Sequence, residues 1–133
     1  MMGLLAFLAL AVPPTVRDCG VGKSVFKIHS VSITPSDPSP GDKVALNLDY
    51  TVPNGVVITS GQTKYDVTYN FLPVYPTIEP LCQNIPCPLG PGRYKNSSTS
   101  TWPTGLTGSV AIQLTWTNEV GTQLLCINVA GNF

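Results

Sequence analysis

Apolar and polar residues alternate with period two along much of the chain, the pattern of β-strands with one buried face. In residues 43–53, Val44, Leu46, Leu48, Tyr50 and Val52 share one face, and Lys43, Asn47, Asp49 and Thr51 lie on the other. Residues 64–71 repeat the pattern with Tyr65, Val67, Tyr69 and Phe71, and residues 109–117 with Val110, Ile112, Leu114 and Trp116. A strand over 25–34 changes phase between Phe26/Ile28 and Val31/Ile33, which predicts a β-bulge near His29-Ser30. A last strand is expected over 123–130, joined to the preceding one by a hairpin at 118–121, and weaker strands over 56–59 and 94–102. No segment has the period of an amphipathic helix.

Six or seven strands separated by turn residues predict an all-β fold: an immunoglobulin-like antiparallel β-sandwich of two sheets. Prolines sharpen the breaks. Pro35, Pro38 and Pro40 make a turn cluster, and Pro73, Pro76 and Pro80 make 72–80 a stiff, extended segment leading to Cys82. A chain of 133 residues is the size of one domain. The apolar run from Leu4 to Val12, stopped by Pro13-Pro14, is too short to cross a bilayer and resembles a signal peptide over residues 1–15, leaving a single domain over 16–133. No Lys or Arg precedes that run, so the leader is truncated or atypical; the competing reading is a short buried N-terminal element.

Charge and chemistry narrow the function. Seven basic and seven acidic residues cancel, so no field draws in nucleic acid or an anionic membrane, and the ligand is expected to be apolar or neutral. The single histidine, His29, has no nucleophile or carboxylate placed beside it by any motif, and the acidic residues are scattered. That inventory predicts no catalytic residue, no cofactor and no metal. Four cysteines in a small exported chain predict two disulfides. Three pairings exist; the close spacing of Cys82 and Cys87 suits a local staple, which leaves Cys19 to Cys126. Asn96-Ser97-Ser98 matches the N-glycosylation sequon.

Several of these segments, taken in order, resemble the ML lipid-recognition family, which includes the lysosomal cholesterol-transfer protein of Niemann-Pick type C disease and the group-two dust-mite allergens. Asp18-Cys19-Gly20 is similar to the family's N-terminal Asp-Cys-Gly. Glu79-Pro80-Leu81-Cys82 with Cys87-Pro88-Leu89 is similar to its Pro-x-x-Cys and Cys-Pro-Ile, and residues 116–129 to its final hairpin. Two departures stand out: the family's third disulfide is absent from 35–40, and 104–108 lacks the Tyr-Pro pair that relatives carry near the pocket mouth.

The resemblance implies a secreted or endolysosomal carrier that holds a sterol, fatty acid or phospholipid between its sheets. It implies transient membrane contact, a monomer, and a membrane lipid-transport protein as a partner. Inner-face residues Leu46, Leu48, Tyr50, Val67, Tyr69, Phe71, Val110, Ile112, Leu114 and Trp116 are expected to line the cavity. Val74, Tyr75, Trp102 and Leu106 are expected at its rim. The alternative is a secreted immunoglobulin-like recognition or adhesion module with a filled core and no lipid cargo.

Overall fold

The computed structural model describes residues 13–132; the signal-like run ending at Val12 lies outside them. Among the described residues, nine strands form two sheets. They are β1 (Thr15–Asp18), β2 (Lys27–Thr34), β3 (Lys43–Val52), β4 (Gly61–Tyr69), β5 (Leu72–Pro73), β6 (Thr77–Pro80), β7 (Gly92–Thr101), β8 (Ser109–Asn118) and β9 (Gln123–Asn132). One sheet has the order β1-β9-β8-β4, with β5 and β6 both along the outer edge of β4; the other has the order β2-β3-β7. All neighbours are antiparallel, and the result is the two-sheet sandwich that the alternation predicts.

Local features follow the side chains. The register of β2 against β3 shifts between Ile28 and Ser30, so His29 is the bulged residue, and its Nε2 lies 2.6 Å from Thr51 Oγ1. At the hairpin into β9, Asn118 Oδ1 accepts the amides of Val120 and Thr122, and Gly121 takes the positive φ that the turn requires. Disulfides join Cys19 to Cys126 and Cys82 to Cys87.

Other expectations change. The strand expected over 64–71 runs instead over Gly61–Tyr69, because Asn70 and Phe71 both have positive φ (48° and 66°) and form the two-residue turn into β5. Residues 56–59 make only an isolated bridge, Ile58 to Leu89. The proline-rich 72–80 segment contributes two short strands, which tolerate proline because they lie on an edge. Strand β1, anticipated by no alternation, begins at the last residue of the expected leader; with only four residues it exists through its pairing with β9.

The space between the sheets is filled unevenly. At one end Tyr50 stacks on Phe26 (centroids 5.5 Å apart), meets Trp116 edge-on at 5.7 Å and lies 5.8 Å from Tyr94. Leu81, Ile85 and Leu89 of the disulfide loop fold in beside Ile58, Val52 and Leu124 to complete this packed half. The other half is walled by aliphatic and hydroxyl side chains without a comparable ring cluster, and it is there that the sheets leave a cavity.

Candidate functional site: a cavity between the sheets

Register dictates the wall. In the larger sheet the pairs Val110–Gly131, Ile112–Val129 and Leu114–Ile127 put the first half of β8 and the second half of β9 side by side, facing inward. Opposite them stand Ile33 of β2 and Val44 and Leu46 of β3. Together with Trp102 and Pro103, they enclose about 450 Å³, within the range of small-molecule pockets. Trp102 is held by its backbone: its amide donates to the Asp42 carbonyl at 2.7 Å, and its carbonyl accepts from Gly41 at 3.0 Å.

One wall differs in character. Strand β7 pairs Ser100 with Val44, Ser98 with Leu46 and Asn96 with Leu48, so its inward residues are polar where those of β3 are aliphatic. β7 is an edge strand, and Ser98 to Thr101 are the exposed part of the lining, which places the opening along this edge. Across the opening, Tyr65 donates to Glu79 Oε1 at 2.9 Å. Asn84 Nδ2 donates to the same oxygen at 3.1 Å and to the fully buried Thr63 Oγ1 at 2.7 Å. Burial, with the bond to Glu79 adding to it, pushes the Tyr65 phenol up to about 12, so it stays neutral and remains a donor. A recess of about 40 Å³, lined by Leu48, Asn96 and Trp116 and by five residues of the main cavity, leads toward the aromatic cluster.

Of the expected cavity residues, Leu46, Val110, Ile112 and Leu114 line the main space, and Leu48 and Trp116 its recess. Tyr50 belongs instead to the packed half, enclosed by three rings. Val67 is half-buried opposite Ile112 but is not on the wall, and Tyr69 turns its hydroxyl to the Thr107 carbonyl at 2.9 Å. Phe71 is 85% exposed, because the turn ends the alternation of β4 before reaching it. Of the expected rim, Trp102 is on the wall, whereas Leu106 is half-buried off it and Val74 and Tyr75 are exposed beyond it. Asn96, the sequon residue, faces inward, and its Nδ2 donates to the Asn84 carbonyl at 3.5 Å.

Ile33, Val44, Ile127 and Val129, which the alternation places on strands without marking them as cavity residues, also line the space. Asn84 and Ser98 gave no signal, since nothing local brings the disulfide loop against β7. Among the described residues, no group of three or more His, Cys, Asp or Glu side chains is placed to hold a metal ion.

An antiparallel sandwich with one packed half and one hollow, mostly aliphatic half defines a class of proteins that enclose apolar ligands. The family model for the ML domain matches residues 14–133, and the chain belongs to that family of non-enzymatic lipid-binding and lipid-transfer proteins. A Dictyostelium discoideum protein provisionally named a phosphatidylglycerol/phosphatidylinositol transfer protein is 29% identical over 126 residues, covering 87% of this chain and 80% of its own. The fold is shared with a Niemann-Pick type C2 protein from the Japanese carpenter ant (TM-score 0.67, 20% identity, 89% of this chain and 98% of that one). It is shared also with chicken MD-1 in complex with lipid IVa (TM-score 0.67, 15% identity, 90% of this chain and 89% of that one).

Proposed function

We propose that this protein shields one lipid in the 450 Å³ cavity and exchanges it at membranes in a secretory or endolysosomal compartment, acting as a monomer. The observation that carries this reading is the cavity itself, walled by Val44, Leu46, Val110, Ile112, Leu114, Ile127 and Val129. Each methylene moved from water into such a space contributes about 0.8 kcal/mol, so ten supply roughly 8 kcal/mol before the costs of association. No charged anchor is needed. Native mass spectrometry of protein secreted by a eukaryotic host is expected to show a lipid adduct; a bare polypeptide mass that also takes up no added lipid would support the recognition-module alternative.

Exchange requires contact with a bilayer, and one end of the sandwich is suited to it. Phe71, Leu72, Val74 and Tyr75 are exposed there, at 85%, 69%, 48% and 91%. Hydrogen bonds tie their turn to the loop that follows Trp102: Asn70 donates its amide to the Ser109 carbonyl at 2.7 Å and accepts from the Ser109 amide through Oδ1 at 2.9 Å. With zero net charge, binding would rest on apolar insertion and depend little on anionic lipid. Phe71 is an expensive choice at φ 66°, where glycine is favoured, and its ring gains almost no burial in return. Phe71→Gly is therefore expected to stabilise the fold by about 1 kcal/mol and yet slow lipid exchange between neutral vesicles roughly tenfold. Denaturant titration and a vesicle transfer assay read the two effects, and unchanged transfer would remove this turn from the membrane contact.

A further inference from the structure

The volume of the cavity limits what it can hold. A methylene group fills roughly 30 Å³, close to the volume share of a liquid water molecule. The main space of about 450 Å³ and its recess of about 40 Å³ therefore take roughly sixteen aliphatic carbons. The two ends of this space differ. At the inner end the recess, with room for a single methyl group, stops against Trp116, which is buried and meets the Tyr50 ring at 5.7 Å. Tyr50 is in turn packed against Phe26 and Tyr94, so lengthening the space there means separating close-packed rings. At the outer end the exposed residues Ser98 to Thr101 line the opening, where a ligand's polar group can stay in contact with water. Among the described residues, no charged side chain lines the cavity or its recess, so apolar burial and not charge pairing supplies the affinity.

We infer that the cavity is a one-chain site: it takes a lipid with a single acyl chain of up to about sixteen carbons, its terminal methyl in the recess and its polar group at the β7 edge, and it excludes lipids with two such chains. The inference rests on the lipid-carrier reading and specifies its cargo. A second chain of that length needs about as much space again, and the aromatic cluster closes the direction in which the interior could supply it. Left outside, the second chain would pass from a bilayer into water, at a loss in uptake of about fourfold for each methylene exposed. The same penalty applies, carbon by carbon, to a single chain that outgrows the cavity.

The test is a chain-length series with one headgroup throughout. Delipidated protein is offered neutral vesicles containing one saturated 1-acylglycerol at a time, from decanoyl to docosanoyl, and the bound lipid is extracted and quantified. Uptake is expected to stay level up to about sixteen carbons, because the chain exchanges one apolar medium for another, and then to fall about fourfold with each further carbon. Uptake of 1,2-dipalmitoylglycerol is expected to be at least about a hundredfold below that of 1-palmitoylglycerol. Trp116→Phe, which deepens the recess, is expected to move the break about one or two carbons longer. Should that variant fail to fold, Val110→Phe provides the second arm; it fills part of the main space and is expected to move the break about two carbons shorter. Level uptake as far as docosanoyl, equal uptake of the one-chain and two-chain lipids, or a break that stays at the same length in every folded variant overturns the one-chain limit while leaving the carrier intact. Uptake of none of these lipids counts against the carrier itself.

Discussion

Replacing Ile112 and Val129 together by Phe is expected to abolish lipid uptake while leaving the protein folded and at least as stable. The two residues are cross-strand partners on the inner face of β8 and β9, and both line the cavity. Two added rings would occupy space that the fold leaves open, so they displace ligand without having to push apart packed neighbours. Filling a pre-existing cavity commonly stabilises by about 0.5–2 kcal/mol, whereas inserting the same bulk into a close-packed core typically costs about 1–3 kcal/mol. Binding should weaken by more than about a hundredfold, the equivalent of losing three or four buried methylenes. Thermal melts and a lipid-displacement titration measure the two effects. A variant that binds normally would show that lipid sits elsewhere, for instance on the outer surface, and one that unfolds would show that this half is packed after all.

The second large effect concerns the two staples. Removing Cys19–Cys126 by Ala substitutions is expected to cost roughly 4–5 kcal/mol, because that bond closes a loop with a sequence separation of 107. Cys82–Cys87, with a separation of 5, should cost only about 2 kcal/mol by the same loop-closure argument. The first figure is a large fraction of the stability of a typical domain. Its structural consequence is also specific. Cys19 lies just after β1, donates its amide to the Cys126 carbonyl at 3.1 Å and leads into the 20–26 segment, whose Val25 and Phe26 amides donate to the carbonyls of Gln123 and Leu124. The disulfide therefore fastens the chain where it passes from one sheet to the other. Urea titrations of the two double variants should show a midpoint drop of about 2 M for the long-range bond and roughly half that for the local one. Equal losses would mean that native packing around the bridges, and not loop closure, sets their value.

Much of this architecture is legible in the order of apolar and polar residues. Alternation located β3 and β8 with their inner faces, and β9 without one; the change of phase in β2 located its bulge at His29; Asn118 to Gly121 announced the last hairpin. These features are local, since side chains two residues apart on a strand must share a face, whatever lies opposite. Less was legible where one residue type serves two conformations. Phe71 continues an alternating row in the sequence, yet two consecutive positive φ angles turn it out into solvent.

Alternation alone was enough to say which side chains of the regular strands β3 and β8 point between the sheets, and spacing alone to say which two cysteines could form a local staple. Where that interior is full and where it is hollow depends on how the two sheets meet. The gap between two sheets is set by the volumes that meet from both sides. Phe26, Tyr50, Tyr94 and Trp116 meet at one end, although they come from four distant segments. At the other end, serines of β7 face the small and aliphatic residues of β3, β8 and β9, and the space stays open. Likewise Asn84, Glu79, Tyr65 and Thr63 form one hydrogen-bonded network beside the cavity only because β6 and the disulfide loop fold against β4, a juxtaposition that no spacing along the chain encodes.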